Sequence, residues 1–86
     1  MSKHRCIELT QEERSQVEQL IRKGDAPART NTRARVLLLG DRSQGEKRTD
    51  REVADAVLCS LSTVTNVRRR FLAGGLQNAL YDKERP

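Results

Sequence analysis

The sequence from Asp50 to Phe71, DREVADAVLCSLSTVTNVRRRF, decides the fold class that we predict for this chain. Its apolar residues recur at helical spacing in two short runs, which are separated by a turn at Leu58-Cys59. The second run opens with Ser60-Leu-Ser-Thr63 and ends in three arginines. This order is typical of a helix-turn-helix whose second helix lies in the major groove of DNA. The stretch therefore predicts a DNA-binding module, with the helix-turn-helix at about residues 50–73.

The composition predicts one small all-α domain. The chain has 86 residues with one Phe, one Tyr and no Trp, so its core must be built from Leu, Val, Ile and Ala. Glycine is scarce and strand-like alternation is missing, which favours helices. No apolar run approaches the roughly 18–20 residues of a membrane span, and no signal-peptide pattern opens the chain. We expect a soluble protein of the cytoplasm.

Capping signals predict where the first three helices begin and end. The capping boxes Thr10-Gln-Glu-Glu13 and Thr49-Asp-Arg-Glu52 start the first and the third helix. The first helix is expected to stop at Gly24. The second is expected to run from about residue 27 to residue 42 or 43, with a proline in its first turn.

The fourth helix is predicted to start after Ser60, which serves as its cap. Gly74-Gly75 ends it, because glycine adopts the positive φ angles that a helix terminus often requires. One further turn is expected to return Leu76 and Leu80 to the core.

These helices define one predicted domain at residues 10–81. Residues 1–9 are expected to form a flexible N-terminal arm, although Ile7 and Leu9 could dock on the domain. Residues 82–86 are expected to form a tail or the start of a linker.

The charged residues are distributed in blocks along the chain, whose net charge is +5. Residues 26–49 hold six basic and two acidic groups, net +4, and residues 61–76 hold three arginines and no acidic residue, net +3. Residues 50–60 lie between them and are acidic, net −2. Two basic blocks beside one acidic helix suit a surface that faces phosphates. The alternative is that these charged side chains only form solvent-exposed helix faces and bind no partner.

An outward row on the fourth helix carries the candidate DNA contacts. If Leu61, Val64 and Phe71 point inward, polar and basic side chains share the opposite side at helical spacing. Hydroxyl and amide groups in the first turns reach base edges, and an asparagine pairs bidentately with adenine. The base-contact candidates are Ser62, Thr63 and Asn66. The phosphate-contact candidates are Ser60, Arg29, Arg33, Arg48, Arg68, Arg69 and Arg70.

Each candidate also has a structural interpretation. The hydroxyls of Ser62 and Thr63 could support the start of the helix, and Asn66 could be a plain solvent-facing residue. The arginine run could be a solvated face, and Arg68 could pack against the third helix through Asp55.

The sequence favours no catalytic or metal chemistry. His4 is the single histidine, and Cys6 and Cys59 lie far apart without metal-ligand spacing. No nucleophile beside a positioned base is recognisable. We therefore expect no enzyme activity, no cofactor, no metal and no small-molecule substrate, and we expect Cys59 to be a small buried residue of the turn.

Several segments between residues 9 and 81 share their order and spacing with one known family. They are Leu9-Thr-Gln-Glu-Glu-Arg14, Ala26-Pro-Ala-Arg29, Arg33-Ala-Arg-Val-Leu-Leu-Leu39, Asp50-Arg-Glu-Val-Ala54, Ser60-Leu-Ser-Thr-Val64, Val67-Arg-Arg-Arg-Phe-Leu-Ala-Gly-Gly-Leu76 and Ala79-Leu80. In them the chain resembles the N-terminal DNA-binding region of bacterial transposases of the insertion sequence 630 family, relatives of the mariner-type elements. The resemblance implies a homeodomain-like or paired-like bundle of about four helices that recognises the terminal inverted repeats of a mobile element. The family's fourth-helix positions fall on Ser62, Thr63, Asn66 and Arg69.

The chain departs from that family in three respects. Leu58 lies in the turn where many helix-turn-helices have Gly, and the loop at residues 43–49 is longer than in many relatives. The catalytic domain of such transposases would begin about where this chain stops. We therefore expect an excised domain, a separately encoded fragment or a small regulator, none of which could cut or join DNA alone.

The expected partner is double-stranded DNA, in the cytoplasm of a bacterium at its nucleoid. One alternative is a stand-alone helix-turn-helix transcriptional regulator that binds as a homodimer, with the apolar surface at Leu37, Leu38 and Leu39 as a possible contact. A second is a basic domain that binds RNA or an acidic protein. The scarcity of aromatic residues argues against single-stranded RNA, whose bases usually stack on such rings.

Overall fold

Four helices build the part of the chain that a computed structural model describes, residues 6–43 and 48–81. They are α1 (Gln11–Lys23), α2 (Ala28–Gly40), α3 (Asp50–Val57) and α4 (Leu61–Leu80). Within these residues the sole β-type pairing is an isolated bridge between Ile7 and Asp41. The predicted all-α fold class is confirmed.

Both predicted capping boxes are formed. The Thr10 hydroxyl accepts from the backbone N–H of Glu13 at 3.1 Å, and the Glu13 carboxylate accepts from the backbone N–H of Thr10 at 3.0 Å. Thr49 and Glu52 repeat the arrangement at the start of α3, at 3.1 and 2.9 Å. Gly24 ends α1 in the left-handed conformation, with φ 76°. Because both boxes satisfy backbone N–H groups that have no partner within the helix, they fix where α1 and α3 begin.

α2 lies at the centre of the domain. It contacts α1, α3 and α4, and α3 also contacts α4. The helical residues of the core come from all four helices: Val17, Ala34, Val36, Leu37, Val53, Ala54, Val64, Val67, Leu76, Ala79 and Leu80. Leu38 and Leu39 are only partly buried, so the apolar residues on the buried side of α2 are Ala34, Val36 and Leu37.

α4 contains a kink at Gly75, whose φ of 85° is not helical. The predicted end of the main helix at this glycine is confirmed. The residues after it form a further helical turn, and Leu76 and Leu80 are 7% and 4% exposed. This turn therefore returns to the core as expected.

α2 ends at Gly40, two to three residues earlier than predicted, and residues 6–9 are packed rather than loose. The backbone of Asp41 is extended, with ψ 122°, and the N–H of Arg42 donates to the carbonyl of Ile7 at 2.9 Å. Ile7 and Leu9 are 3% and 4% exposed. Ile7 and Leu9 thus dock on the domain, which is the alternative that the sequence left open for the arm, and residues 1–5 and 82–86 lie outside the described residues.

The carboxylate of Asp41 holds this packed segment. It is fully buried, and it accepts from the backbone N–H of Leu9 at 3.0 Å, from the N–H of Ser43 at 2.9 Å and from Nη1 of Arg14 at 2.7 Å. Burial raises the pKa of Asp41, but the hydrogen bonds from Leu9, Ser43 and Arg14 together lower it by more, so that the pKa lies below its usual value. One buried charge therefore joins the N-terminal segment, α1 and the end of α2.

We expect Asp41→Ala to lower the free energy of unfolding by about 2–4 kcal/mol at neutral pH, because the backbone N–H groups of Leu9 and Ser43 lose their acceptor and the half-buried Arg14 keeps only its longer ion pair with Glu18. The folded pKa lies below the unfolded value of about 3.9, so this stabilisation is complete above the unfolded pKa and is lost as the pH falls through the folded one. Urea unfolding at neutral pH and at about pH 2.5 measures it. The difference between wild type and variant should narrow in acid, whereas an unchanged difference would contradict the assignment. Asp55→Ala removes an exposed carboxylate and serves as the control.

Candidate nucleic-acid interface

The turn between α3 and α4 is built around a leucine in the left-handed conformation. Leu58 has φ 66° and ψ 46°, and its own N–H and that of Cys59 both donate to the carbonyl of Ala54. The Leu58 side chain is 90% exposed. Left-handed backbone costs a residue with a side chain roughly 1–2 kcal/mol. The chain therefore makes the turn that glycine makes in many helix-turn-helices, at a conformational cost.

Two hydroxyl groups hold the start of α4. The Ser60 hydroxyl accepts from the backbone N–H of Thr63 at 3.2 Å, and the two side-chain oxygens lie 2.9 Å apart. The predicted cap is confirmed. Both hydroxyls have a structural partner in the free protein, and DNA contacts from Ser60 and Thr63 stay predictions.

The buried side of α4 is formed by Val64 and Val67, which are 2% and 1% exposed, and by the partly buried Phe71. Leu61 is 48% exposed, so its predicted inward position is wrong. At about 100° per residue, Leu61 is turned about 90° from the mean direction of the three inner residues. Leu61 therefore lies at the edge of the buried side and borders the outer surface.

Three predicted site residues share the outer face of α4. Ser62, Asn66 and Arg69 are all exposed, and together with Leu61 and Thr65 they line one shallow depression. Among the described residues, no hydrogen bond or ion pair involves the side chains of Ser62, Asn66 and Arg69. We call these five residues the outer face of α4. Thr65 was not among the predicted site residues, and Leu61 was predicted to point inward. Thr65 lies four residues after Leu61 and four before Arg69, and this helical spacing is the signal that identifies it.

Two arginines lie beside this face, on the side of α2. Nη2 of Arg70 donates to the carbonyl of Tyr81 at 2.9 Å, and Nη1 of Arg33 donates to the carbonyl of Leu80 at 3.3 Å. With Thr63, Asn66 and Arg69 they line a second depression. Arg29, one turn before Arg33, is exposed on α2. The carbonyl groups at the C-terminus of α4 thus hold guanidinium groups from two helices next to Asn66.

Arg68 and Arg48 lie on the other side of α4. Arg68 forms an ion pair with Asp50 at the start of α3, and not with Asp55 as anticipated. Nη1 of Arg48 donates to the carbonyl of Leu39 at 3.2 Å. Both arginines line a cavity of about 330 Å³ that also includes Ile7. The structure therefore separates these two phosphate candidates from Arg33 and Arg70 by the width of α4.

The other reactive residues form no second site in the described part of the chain. No group of three or more His, Cys, Asp and Glu is placed there to hold a metal ion. Cys59 is half-buried, and burial raises the pKa of its thiol. His4 lies outside the described residues. None of the helices that the structure describes has the length and apolar character to cross a membrane.

Part of the chain matches the model of a known family. The family model described as a homeodomain-like domain matches residues 27–80, which include α2, α3 and α4. No curated protein and no solved structure matches the chain. Ser62, Asn66 and Arg69 lie within the matched range, on the last of its helices.

We expect Leu58→Gly to raise the free energy of unfolding by about 0.5–1 kcal/mol, because glycine adopts the left-handed conformation without strain and little packing is lost. Ala56→Gly, at an exposed position inside α3, should instead lower it by about 1 kcal/mol. Chemical denaturation of the two variants measures both changes. A destabilised Leu58→Gly variant would show that the leucine contributes to the turn in another way.

Proposed function

We propose, since the chain belongs to the homeodomain-like family of helix-turn-helix DNA-binding domains, that it binds double-stranded DNA in a sequence-specific manner with α4 in the major groove. The observation that carries the proposal is the outer face of α4, where Ser62, Asn66 and Arg69 are exposed together. No acidic residue occurs between Leu61 and Tyr81, so nothing in α4 repels a phosphate backbone.

The first two turns of α4 supply the groups that read bases. The major groove admits one α-helix, and side chains near its N-terminus usually reach the base edges. Asn66 presents an amide that can pair with N6 and N7 of adenine, and Ser62 presents a hydroxyl one turn earlier. Both lie on the side of α4 that is turned away from the core, which supports their approach to a duplex.

The arginines on both sides of α4 match the two strands that border a major groove. Arg33 and Arg70 lie on the α2 side, and Arg48 and Arg68 lie on the α3 side. Arg69 extends from the outer face one turn beyond Asn66, where it can reach a phosphate. Such contacts position the protein and add affinity without reading the sequence.

We further propose that the natural site lies in the terminal inverted repeats of a mobile element and that the chain acts there by binding alone. The support is the resemblance between residues 9 and 81 and insertion sequence 630 transposases. A stand-alone regulator is the alternative and would bind as a homodimer to a palindrome. Selection of duplexes from a random pool, with sedimentation of the complex, distinguishes the two: one protein on a non-palindromic site supports the first, and two on a palindrome support the second.

We expect DNA binding to weaken with salt, because roughly four to six neutralised phosphates release their counterions. The logarithm of the association constant should fall with the logarithm of the salt concentration with a slope of about −4 to −5. Titration of a fluorescent duplex at several salt concentrations measures the slope, with a duplex RNA of the same sequence as competitor. A flat response, or RNA that competes as well as DNA, would contradict the proposal.

We expect Asn66→Ala and Arg69→Ala to have different consequences. Asn66→Ala should reduce the discrimination between bases at one base pair by about 1–3 kcal/mol. Arg69→Ala should weaken binding to all DNA sequences alike and reduce the steepness of the salt dependence by about one. Binding to a panel of single-base variants of the selected site measures both. Arg22→Ala removes an exposed charge from α1, outside the matched range, and is the control for net charge. If the base preference of the Asn66→Ala protein were unaltered, the proposed placement of α4 in the major groove, with Asn66 at a base edge, would be ruled out.

A further inference from the structure

Leu61 is a large apolar residue that does not belong to the core. Its side chain is 48% exposed at the first position of α4, and it lines the same depression as Ser62, Asn66 and Arg69. An exposed leucine alone is ordinary in a folded protein. Leu61, however, adjoins the polar and basic groups of the proposed DNA-binding face, so the partner that covers that face would also cover Leu61.

Thr65 extends this apolar surface by one turn. It follows Leu61 by four residues, so the two side chains lie one above the other, and Thr65 is half-buried in the same depression. The pair lies along one edge of the outer face, and Asn66 lies on its other edge. One edge can therefore offer methyl groups while the other offers an amide.

The major groove contains one apolar group that suits such an edge. Thymine carries a C5-methyl group there, and cytosine, guanine and adenine carry none. We propose that Leu61, supported by Thr65, is a specificity-determining residue that contacts a thymine methyl group beneath the first turn of α4. The inference rests on the proposed function, because it places this edge of α4 in the major groove.

The test changes the DNA rather than the protein. In the duplex that wild-type protein prefers, each thymine in turn is replaced by deoxyuridine, which lacks only the C5-methyl group, and the dissociation constant is measured. Burying one methyl group corresponds to about a four-fold change in affinity. We expect a loss of this size at one or two thymines next to the pair that Asn66 reads, and no change at the others.

Two variants assign the effect to the leucine. The Leu61→Ala protein should have the same dissociation constant for duplexes with thymine and with uracil at the sensitive position. Leu72→Ala is the matched control, because Leu72 is 43% exposed on the same helix but lies about 16 Å further along its axis. Leu72→Ala should retain the wild-type preference for thymine.

The outcomes separate this inference from the proposed function. Sequence-specific binding that is insensitive to every uracil substitution would overturn the role of Leu61 and leave the DNA-binding proposal standing. A preference for thymine that survives Leu61→Ala would also overturn it, since another residue would then contact the methyl group. Absence of duplex binding by the wild-type protein would overturn both.

Discussion

The burial of Val64 and Val67 fixes the rotation of α4 about its own axis, and the candidate interface depends on that rotation. Both valines are almost completely inaccessible to solvent in the core that α2, α3 and α4 share. A helix with two such residues three positions apart has one remaining free side. Ser62 and Arg69 lie almost opposite the valines, so the same packing that stabilises the domain presents them to a partner.

The same rotation gives three consecutive arginines three different surroundings. Arg68 turns toward α3 and pairs with Asp50, Arg69 points outward, and Arg70 donates to the carbonyl of Tyr81, the residue that caps the C-terminus of α4. Successive residues of a helix differ by about 100° in direction, so three consecutive side chains cannot all share one face. A basic run that suggests one charged patch is in fact spread around most of the helix, with one arginine at the centre of the outer face.

The strained turn and the buried aspartate show how the ends of the helices are held. Leu58 adopts a left-handed conformation so that the chain can pass directly from α3 into α4. α2 ends before Asp41 because the Asp41 carboxylate accepts hydrogen bonds from the backbone N–H of Leu9 and the side chain of Arg14. At Asp41 the preference for continued helix gives way to contacts that order a larger part of the domain.

Local signals determined much of the fold. The capping boxes at Thr10 and Thr49 and the glycines at 24 and 75 act within a few residues of themselves, so the sequence alone was sufficient to place these helix ends. The inward positions of Val64 and Phe71 were also predictable from their spacing. Of the predicted outward row, Ser62, Asn66 and Arg69 are exposed together, whereas Thr63 and Arg70 are half-buried and line a separate depression.

Tertiary contacts decided what spacing could not. The early end of α2 and the docking of Ile7 depend on the hydrogen bond between the Asp41 carboxylate and the backbone N–H of Leu9, which is 32 residues away along the chain. The exposure of Leu61 depends on which part of α4 its neighbours cover, and the partner of Arg68 depends on where α3 begins in space. These outcomes join residues that are distant in sequence, and no local periodicity carries that information. The sequence by itself thus determined which helices form and which residues are candidates, and the packing of those helices decided which candidates stand on one surface.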